Sequence, residues 1–557
     1  MSKVKILLSL FMGIALLFPQ MSKACTNFLI TKNASADKSV MISYAADSHD
    51  LYGELYYWPG QQWPEGAMLD VYEWDTGKYL GKIKQASETY TVIGNINEHQ
   101  VAIAETTFGG RKELRDTTGI IDYGSLIYIA LQRSKSARQA IKVMTELVAE
   151  YGYYSSGESF SIADKNEAWV MEMIGKGVGN KGAVWVARLI PDGMVSGHAN
   201  QARITNFPMN DPENCLFSED VIEFAKTQKY FDGKKKNFSF ADAYAPLDYG
   251  ALRFCEARVW SGFRLMNPEM EKYEDYVKGE SSERLPLWIK PSKPVSYRDL
   301  QNIMRDHFEG TSMDMTKDAG AGAFGKPYRF RPLTWKVDEK EYFNERAIAT
   351  QQTGFSFVAQ LRSYIVPDAV GGVLWFGVDD AATSVYVPIY CGINSIPENF
   401  KVGNGSLLEY SSTSAFWIFN RVSNQAYSRY NLMIEDIKKV QTRLEDKFED
   451  YAPVIEQAAK HLHQLDPAKA KEFITEYSLA QSKLTFDAWK DLDEFLMVKY
   501  LDGNLHKEEN GVFLKNEHGN PYHAEFPGYS KEYYQKIVDE TGEKLKMKKL
   551  PGEESTH

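Results

Sequence analysis

The sequence is poor in the patterns that accompany metal or redox chemistry. Its 557 residues hold four cysteines, Cys25, Cys215, Cys255 and Cys391, with no C-x-x-C pair, which excludes a disulfide scaffold and the usual thiolate zinc sites. The ten histidines are scattered outside any H-E-x-x-H, and His461 and His463, two apart on a helical stretch, do not share a face. No G-x-S-x-G elbow occurs. The string from Gly320 to Gly325 satisfies G-x-G-x-x-G, but polar "TSMDMTKDA" precedes it where a strand is required, and Lys326-Pro327 follows where a helix must start. Neither a cofactor nor a metal is therefore expected. After the N-terminal region no apolar run approaches the about 20 residues of a membrane span. The formal charge of −11 argues against nucleic acid or an anionic membrane as the main partner.

What is present begins with an export signal. Lys3 and Lys5 precede the apolar stretch 6–18, and Ser22-Lys23-Ala24 places small residues at the third and first positions before Cys25. This is the secretory pattern, with a cut expected after Ala24. Loss of Lys3, Lys5 and Lys23 takes the formal charge from −11 to −14. Cys25 then has three open readings: a lipid-anchor site, half of a disulfide, or the first residue of a mature enzyme. A lipobox wants an aliphatic residue and a small residue where this chain has Ser22 and Lys23, which weakens the first. If Cys25 is kept for chemistry, at most one pair remains, and Cys215 with Cys255 is the candidate.

The chain divides by composition into a leader at 1–24, a strand-rich body at 25–423 and a helical region at 424–557. In the body, "TNFLIT", "SVMISY", "VAIAETT", "SFSIAD", "EAWVMEMI" and "AVWVARLI" are short, β-branched or aromatic runs, many of them alternating. One helical stretch, 123–151, interrupts them, which points to α+β layering. "DGKKKN" and "EMEKYEDYVKGESSERLP" read as solvated surface insertions. After residue 424 two amphipathic helices are separated by turn residues at Asp466-Pro467.

A cysteine freed at its own α-amine is chemically self-sufficient. An unperturbed α-amine titrates near about 7.7–8.0 and a thiol near about 8.5, so the amine serves as base toward the thiol and later protonates the departing amine. No separate catalytic histidine is needed.

From Cys25, "CTNFLITKNASADKSVMISYAADSH" resembles the opening of the C69 family of cysteine dipeptidases, N-terminal nucleophile hydrolases that begin "CT" and reach an acid after a strand-turn-strand hairpin. "NINEHQVAIAETT", "ESFSIADKNEAWVMEMIG", "GHANQARI" and "RDHFEGTSMD" continue the likeness in order over residues 25–424. The resemblance implies a four-layer αββα sandwich with a helical C-terminal extension, and hydrolysis of dipeptides through an acyl-enzyme. Cys25 falls at the nucleophile and Asp47 at the acid that would orient its ammonium. Tyr44 and Ala45 stand where family members often carry arginine and asparagine. Asn97 and Asn200 are the candidate oxyanion donors, a role whose loss costs about 10²- to 10³-fold in rate. Arg203 either binds a substrate carboxylate or makes a structural ion pair. Glu158, Asp164 and Glu172 receive no role, and His99 and His198 are expected to be hydrogen-bonded supports. The expected protein is an exported cysteine dipeptidase acting on small peptides. Two alternatives stay open: a penicillin V or bile-salt acylase-like amidase of the same fold, and a surface lipoprotein whose aromatic residues bind ligand.

Overall fold

A computed structural model describes residues 25–548, so the expected leader and its cut after Ala24 lie outside the described residues. Strands β1 (Thr26–Ile30) and β2 (Val40–Asp47) form an antiparallel hairpin with Thr26 opposite Ala45 and Ile30 opposite Met41. Both are buried at every position. A sheet covered on two faces needs continuous apolar runs, which is why "SVMISY" carries little polar alternation.

Four longer strands follow as an antiparallel meander: β3 (Ala102–Gly109), β4 (Gly157–Ala163), β5 (Ala168–Gly175) and β6 (Ala183–Leu189). Between β3 and β4 the chain makes α1 (Tyr123–Arg133) and α2 (Ala137–Tyr151), which pack on those two strands. The stretch 123–151 is thus two helices. Ser134 leaves the helical conformation, and the Ser136 side chain accepts the Gln139 N–H, so a serine cap restarts the helix where apolar spacing alone reads through.

Strand β7 (Val195–His198) returns to the free edge of β1, with Asn27 opposite His198. Helix α3 (Ala257–Met266) covers β1 and β7, and α4 (Tyr297–Ile303) covers β2 and the later β8 (Thr353–Leu361), which pairs with β2. Strands β9 (Gly372–Val378) and β10 (Val387–Tyr390) extend this sheet, giving the order β7-β1-β2-β8-β9-β10 with the short strand Trp288–Ile289 on the β7 edge. The second sheet runs β6-β5-β4-β3 and is completed by Cys215–Phe217 at one edge and short strands near residue 95 at the other. Strands β1 and β2 face β3 and β4. The fold is α+β, with antiparallel pairing throughout both sheets.

Helices α5 (Ala415–Ser428), α6 (Tyr430–Leu465) and α7 (Pro467–Lys499) close the outer side of β9 and β10. Asp466 caps α7 by accepting the Ala468 N–H, with Pro467 in the first turn. The break expected at 423/424 falls inside α5. Phe419 of α5 stacks on Trp489 of α7 at 4.8 Å, and both belong to the core that also holds Phe376 of β9. The helical region is therefore packed into the body as well as onto itself, its apolar stripes covering β9, β10 and one another.

Two contacts tie these layers at the end of β1. In α3, a Cβ on Gly262 would stand 2.1 Å from the Phe28 ring, so glycine lets the helix descend onto β1. Between the sheets, His198 is fully buried, with its Nδ1 2.7 Å from Thr106 Oγ1 and its Nε2 2.8 Å from Ser161 Oγ. Burial, helped by the charge of Arg203, pushes the imidazole down to about 3. It is neutral in the folded protein.

Helix propensity alone would make Gly262→Ala stabilising by up to about 1 kcal/mol, but overpacking typically costs about 1–3 kcal/mol. Net destabilisation is expected, read as a lower urea midpoint. For His198 the unfolded imidazole titrates near about 6.5, so its share of stability is complete above that pH and declines as pH falls toward the folded value. Between pH 7 and 5 the loss is roughly 2 kcal/mol. Other buried groups add slopes of their own, so the effect is read as a difference: on going from pH 7 to pH 5 in urea titrations the wild type is expected to lose about this much more stability than His198→Gln.

Candidate active site

Cys25 sits where β1 begins, 4% exposed, at the wall of a cavity of about 500 Å³. The volume falls in the range of small-molecule sites. Strand β2 brings Tyr44 and Asp47 to the thiol, and β3 brings Glu105 from the facing sheet. Sγ lies 3.6 Å from Tyr44 Oη and 3.7 Å from Glu105 Oε1. The Tyr44 hydroxyl donates to Glu105 Oε1 at 2.6 Å. Burial pushes the Cys25 thiol well above the usual thiol range, with Glu105 and then Asp47 adding to it. The Asp47 backbone N–H and the Tyr44 hydroxyl oppose the rise by hydrogen-bonding the sulfur. In this setting the thiol is protonated and needs a base.

Asp47 is also in the cavity wall, 1% exposed. Its carboxylate is paired with Arg346 and accepts the Thr353 hydroxyl at 2.6 Å. Burial raises its carboxyl above the usual range against the pull of Arg346 and Thr353.

Arg258 supplies the link that joins the thiol residue to the rest of the site. One turn before Gly262 on α3, its guanidinium donates to the Cys25 carbonyl, to Thr26 Oγ1 at 2.8 Å and to Asn200 Oδ1 at 2.8 Å. Burial, then the charge of Arg346, pushes it down to about 10, so it stays cationic at neutral pH. Asn200 has a positive φ of 57°, a conformation asparagine tolerates, and its Nδ2 donates to Thr107 O at 2.7 Å. Its amide plane is held from both ends.

Asn97 is a correction to the sequence reading. It is fully buried away from the cavity wall, with Nδ2 donating to Leu131 O and Ser134 O, both at 2.7 Å, and Oδ1 accepting from the N–H groups of His99 and Val101. Both amide hydrogens are used in holding the end of α1, and none is left for an oxyanion. Asn95, two residues earlier, lines the cavity instead. The strands at 92–93 and 96–97 are joined by Gly94-Asn95, with Gly94 at φ +53°, a two-residue hairpin that swings Asn95 toward Cys25.

Arg203 takes the structural of its two readings. It pairs with Glu256 at 2.8 Å and donates to Gly197 O, Leu285 O and Pro286 O, outside the cavity wall. The segment 269–286, expected as a surface insertion, is thereby pinned, with Tyr276, Val277 and Leu285 buried in the main core. Glu172 accepts the Arg203 and Ile204 N–H groups and is pushed up to about 8 by burial, while Asp164 accepts the Ala137 N–H at the start of α2. His99 packs edge-on against Tyr90, away from Cys25. Cys215, Cys255 and Cys391 are free thiols. No cluster of metal-ligating side chains occurs among the described residues, and no described helix is long and apolar enough to cross a membrane.

Glu105 and Arg258 were not singled out by the sequence. The first lies in the quoted segment "VAIAETT", where a glutamate between buried apolar and small residues on a strand was the available signal; the second had none.

A family model described as Peptidase family C69 matches residues 54–443, opening after the hairpin that carries Cys25 and Asp47. A protein of Latilactobacillus sakei named "Probable dipeptidase" is 27% identical over 428 residues, covering 73% of this chain and 82% of that protein. A "Probable dipeptidase" of Salmonella dublin is 25% identical, covering 66% of this chain and 81% of its own length. "Probable dipeptidase A" of Streptococcus pyogenes serotype M3 (strain SSI-1) is 24% identical, covering 72% and 82%. With a buried cysteine at the head of a central strand and a family match over most of the body, this chain belongs to peptidase family C69, a family of cysteine peptidases.

Proposed function

We propose that the protein is an exported dipeptidase whose nucleophile is Cys25 and whose base is the α-amine released when the leader is cut after Ala24. The observation that carries this reading is the seat of Cys25: at the head of a central strand, its thiol in the wall of a cavity and its carbonyl held by Arg258. Two facing sheets with helices on their outer sides support assignment to the αββα sandwich of N-terminal nucleophile hydrolases.

In the proposed reaction the amine takes the thiol proton and sulfur attacks the scissile carbonyl carbon. The oxyanion meets the second amide hydrogen of Asn95 in the cavity wall, the first being given to Ile103 O, while Asn200 lies outside that wall, hydrogen-bonded to Arg258 and Thr107. The ammonium proton passes to the departing amine, leaving a thioester, and water on the same base resolves it. Asp47, paired with Arg346 beside the strand end, holds the local charge balance around that amine. The acylase-like alternative is disfavoured by charge. Asp47, Asp50, Glu54, Asp75 and Glu105 line the cavity and no basic side chain does among the described residues, a poor fit for anionic acyl amides.

Protein exported by a native-like host is expected to show Cys25 as its N-terminus by sequencing and intact mass. A lipid-modified Cys25 would support the binding-lipoprotein alternative instead. Cys25→Ala is expected to lower dipeptide turnover by more than about 10³-fold. Asn95→Ala is expected to lower kcat by about 10²-fold. Asn97→Ala should act mainly on stability, read by comparing kcat with the denaturation midpoint.

A further inference from the structure

We infer that Glu105 is the residue that reads the free amino terminus of the substrate, holding its α-ammonium directly beside the attacking sulfur. The inference rests on the dipeptidase reading and adds to it the group that makes a free amine a requirement.

The argument is one of covalent reach. In a dipeptide the α-nitrogen is separated from the scissile carbonyl carbon by one Cα, which fixes their distance at about 2.5 Å. A sulfur poised for attack lies about 3–3.5 Å from that carbon. The ammonium therefore sits within roughly 6 Å of Sγ, and a carboxylate hydrogen-bonded to it stands about 2.7–2.9 Å further along. Glu105 Oε1, 3.7 Å from Sγ, closes this four-atom circuit without moving any element. Among the acids of the wall it is Glu105 that the Cys25 thiol meets directly; Asp47 is ion-paired with Arg346, Asp50 is exposed, Glu54 accepts the Gly403 N–H, and Asp75 stands on a hairpin tip. The Tyr44 hydroxyl, donating to Oε1 at 2.6 Å, fixes the Glu105 carboxylate in this direction. Tyr44 itself occupies a face of β2 packed edge-on against Phe355 at 5.8 Å and Phe357 at 5.5 Å, so the pair is rigidly set.

A carboxylate beside a thiol is otherwise a handicap, since its charge makes the thiolate harder to form. An arriving ammonium cancels that charge at the moment of binding. The site then becomes reactive when occupied by a substrate with a free amine, and stays suppressed toward N-acylated peptides.

The test compares alanyl-alanine with its des-amino analogue, propionyl-alanine, binding to the non-hydrolysing Cys25→Ala protein by calorimetry. With Glu105 intact the dipeptide is expected to bind about 10²-fold tighter than the analogue, and adding Glu105→Gln should erase that preference by weakening the dipeptide alone. With Cys25 present, Glu105→Gln is expected to lower kcat/KM for alanyl-alanine by about 10²-fold, with KM rising. Glu105→Asp, which keeps the charge, should recover part of the binding preference. Equal weakening of both ligands, or an unchanged preference in Glu105→Gln, overturns the inference while leaving the dipeptidase reading intact. Absence of alanyl-alanine turnover by the protein with Cys25 at its free N-terminus overturns the dipeptidase reading itself, and undiminished turnover by Cys25→Ala overturns Cys25 as its nucleophile.

Discussion

A guanidinium buried at the junction of a helix and a strand organises this protein. Arg258 is 1% exposed and surrounded by oxygen acceptors from three places in the chain: its own helix at Phe254 O, the strand start at Cys25 O and Thr26 Oγ1, and the loop after β7 at Asn200 Oδ1. Removing a charge from water costs several kcal/mol unless its hydrogen bonds are remade, so these four contacts hold the three segments in one geometry. Gly262 one turn on makes the approach possible by admitting the Phe28 ring against the helix backbone. The position of Cys25, the plane of Asn200 and the lie of α3 on β1 all follow from that single insertion.

Around it the charges are arranged in pairs. Asp47 answers Arg346, Glu256 answers Arg203, and each pair is almost wholly buried. Glu105 comes from the opposite sheet to lie next to the sulfur, where it accepts the Tyr44 hydroxyl. The site thus holds its cationic side chains behind the strand and presents acids and aromatics toward the cavity. That polarity suits a ligand bearing a positive group, and it comes with a thiol that burial keeps protonated until a base acts on it.

Much of the fold was legible. Short β-branched or aromatic runs, many of them alternating, marked β1, β2, β4, β5 and β6, and the amphipathic stripes of the C-terminal helices were visible as charge on one face. Where reading failed, a short local signal outweighed the longer pattern. Ser136 capped a second helix inside an unbroken apolar spacing, and Gly94 turned the chain so that Asn95, and not Asn97, entered the cavity wall. Arg203 looked like a ligand for carboxylate because it is a cation in a family-like segment, yet its acceptors are Glu256 and four backbone carbonyls.

By itself the sequence determined the family and its class of chemistry, and it marked Cys25, which follows a secretory-type cut pattern and opens a family-like hairpin, as the candidate nucleophile. Those signals are local, written within a few tens of residues. Only the tertiary structure decided which groups surround the thiol. Glu105 and Arg258 lie 80 and 233 residues from Cys25 along the chain, and they meet it because two sheets face each other and a glycine lets a helix settle onto a strand. Distances of that kind are set by packing, which sums weak contacts over the whole core and leaves no mark at any one position of the sequence.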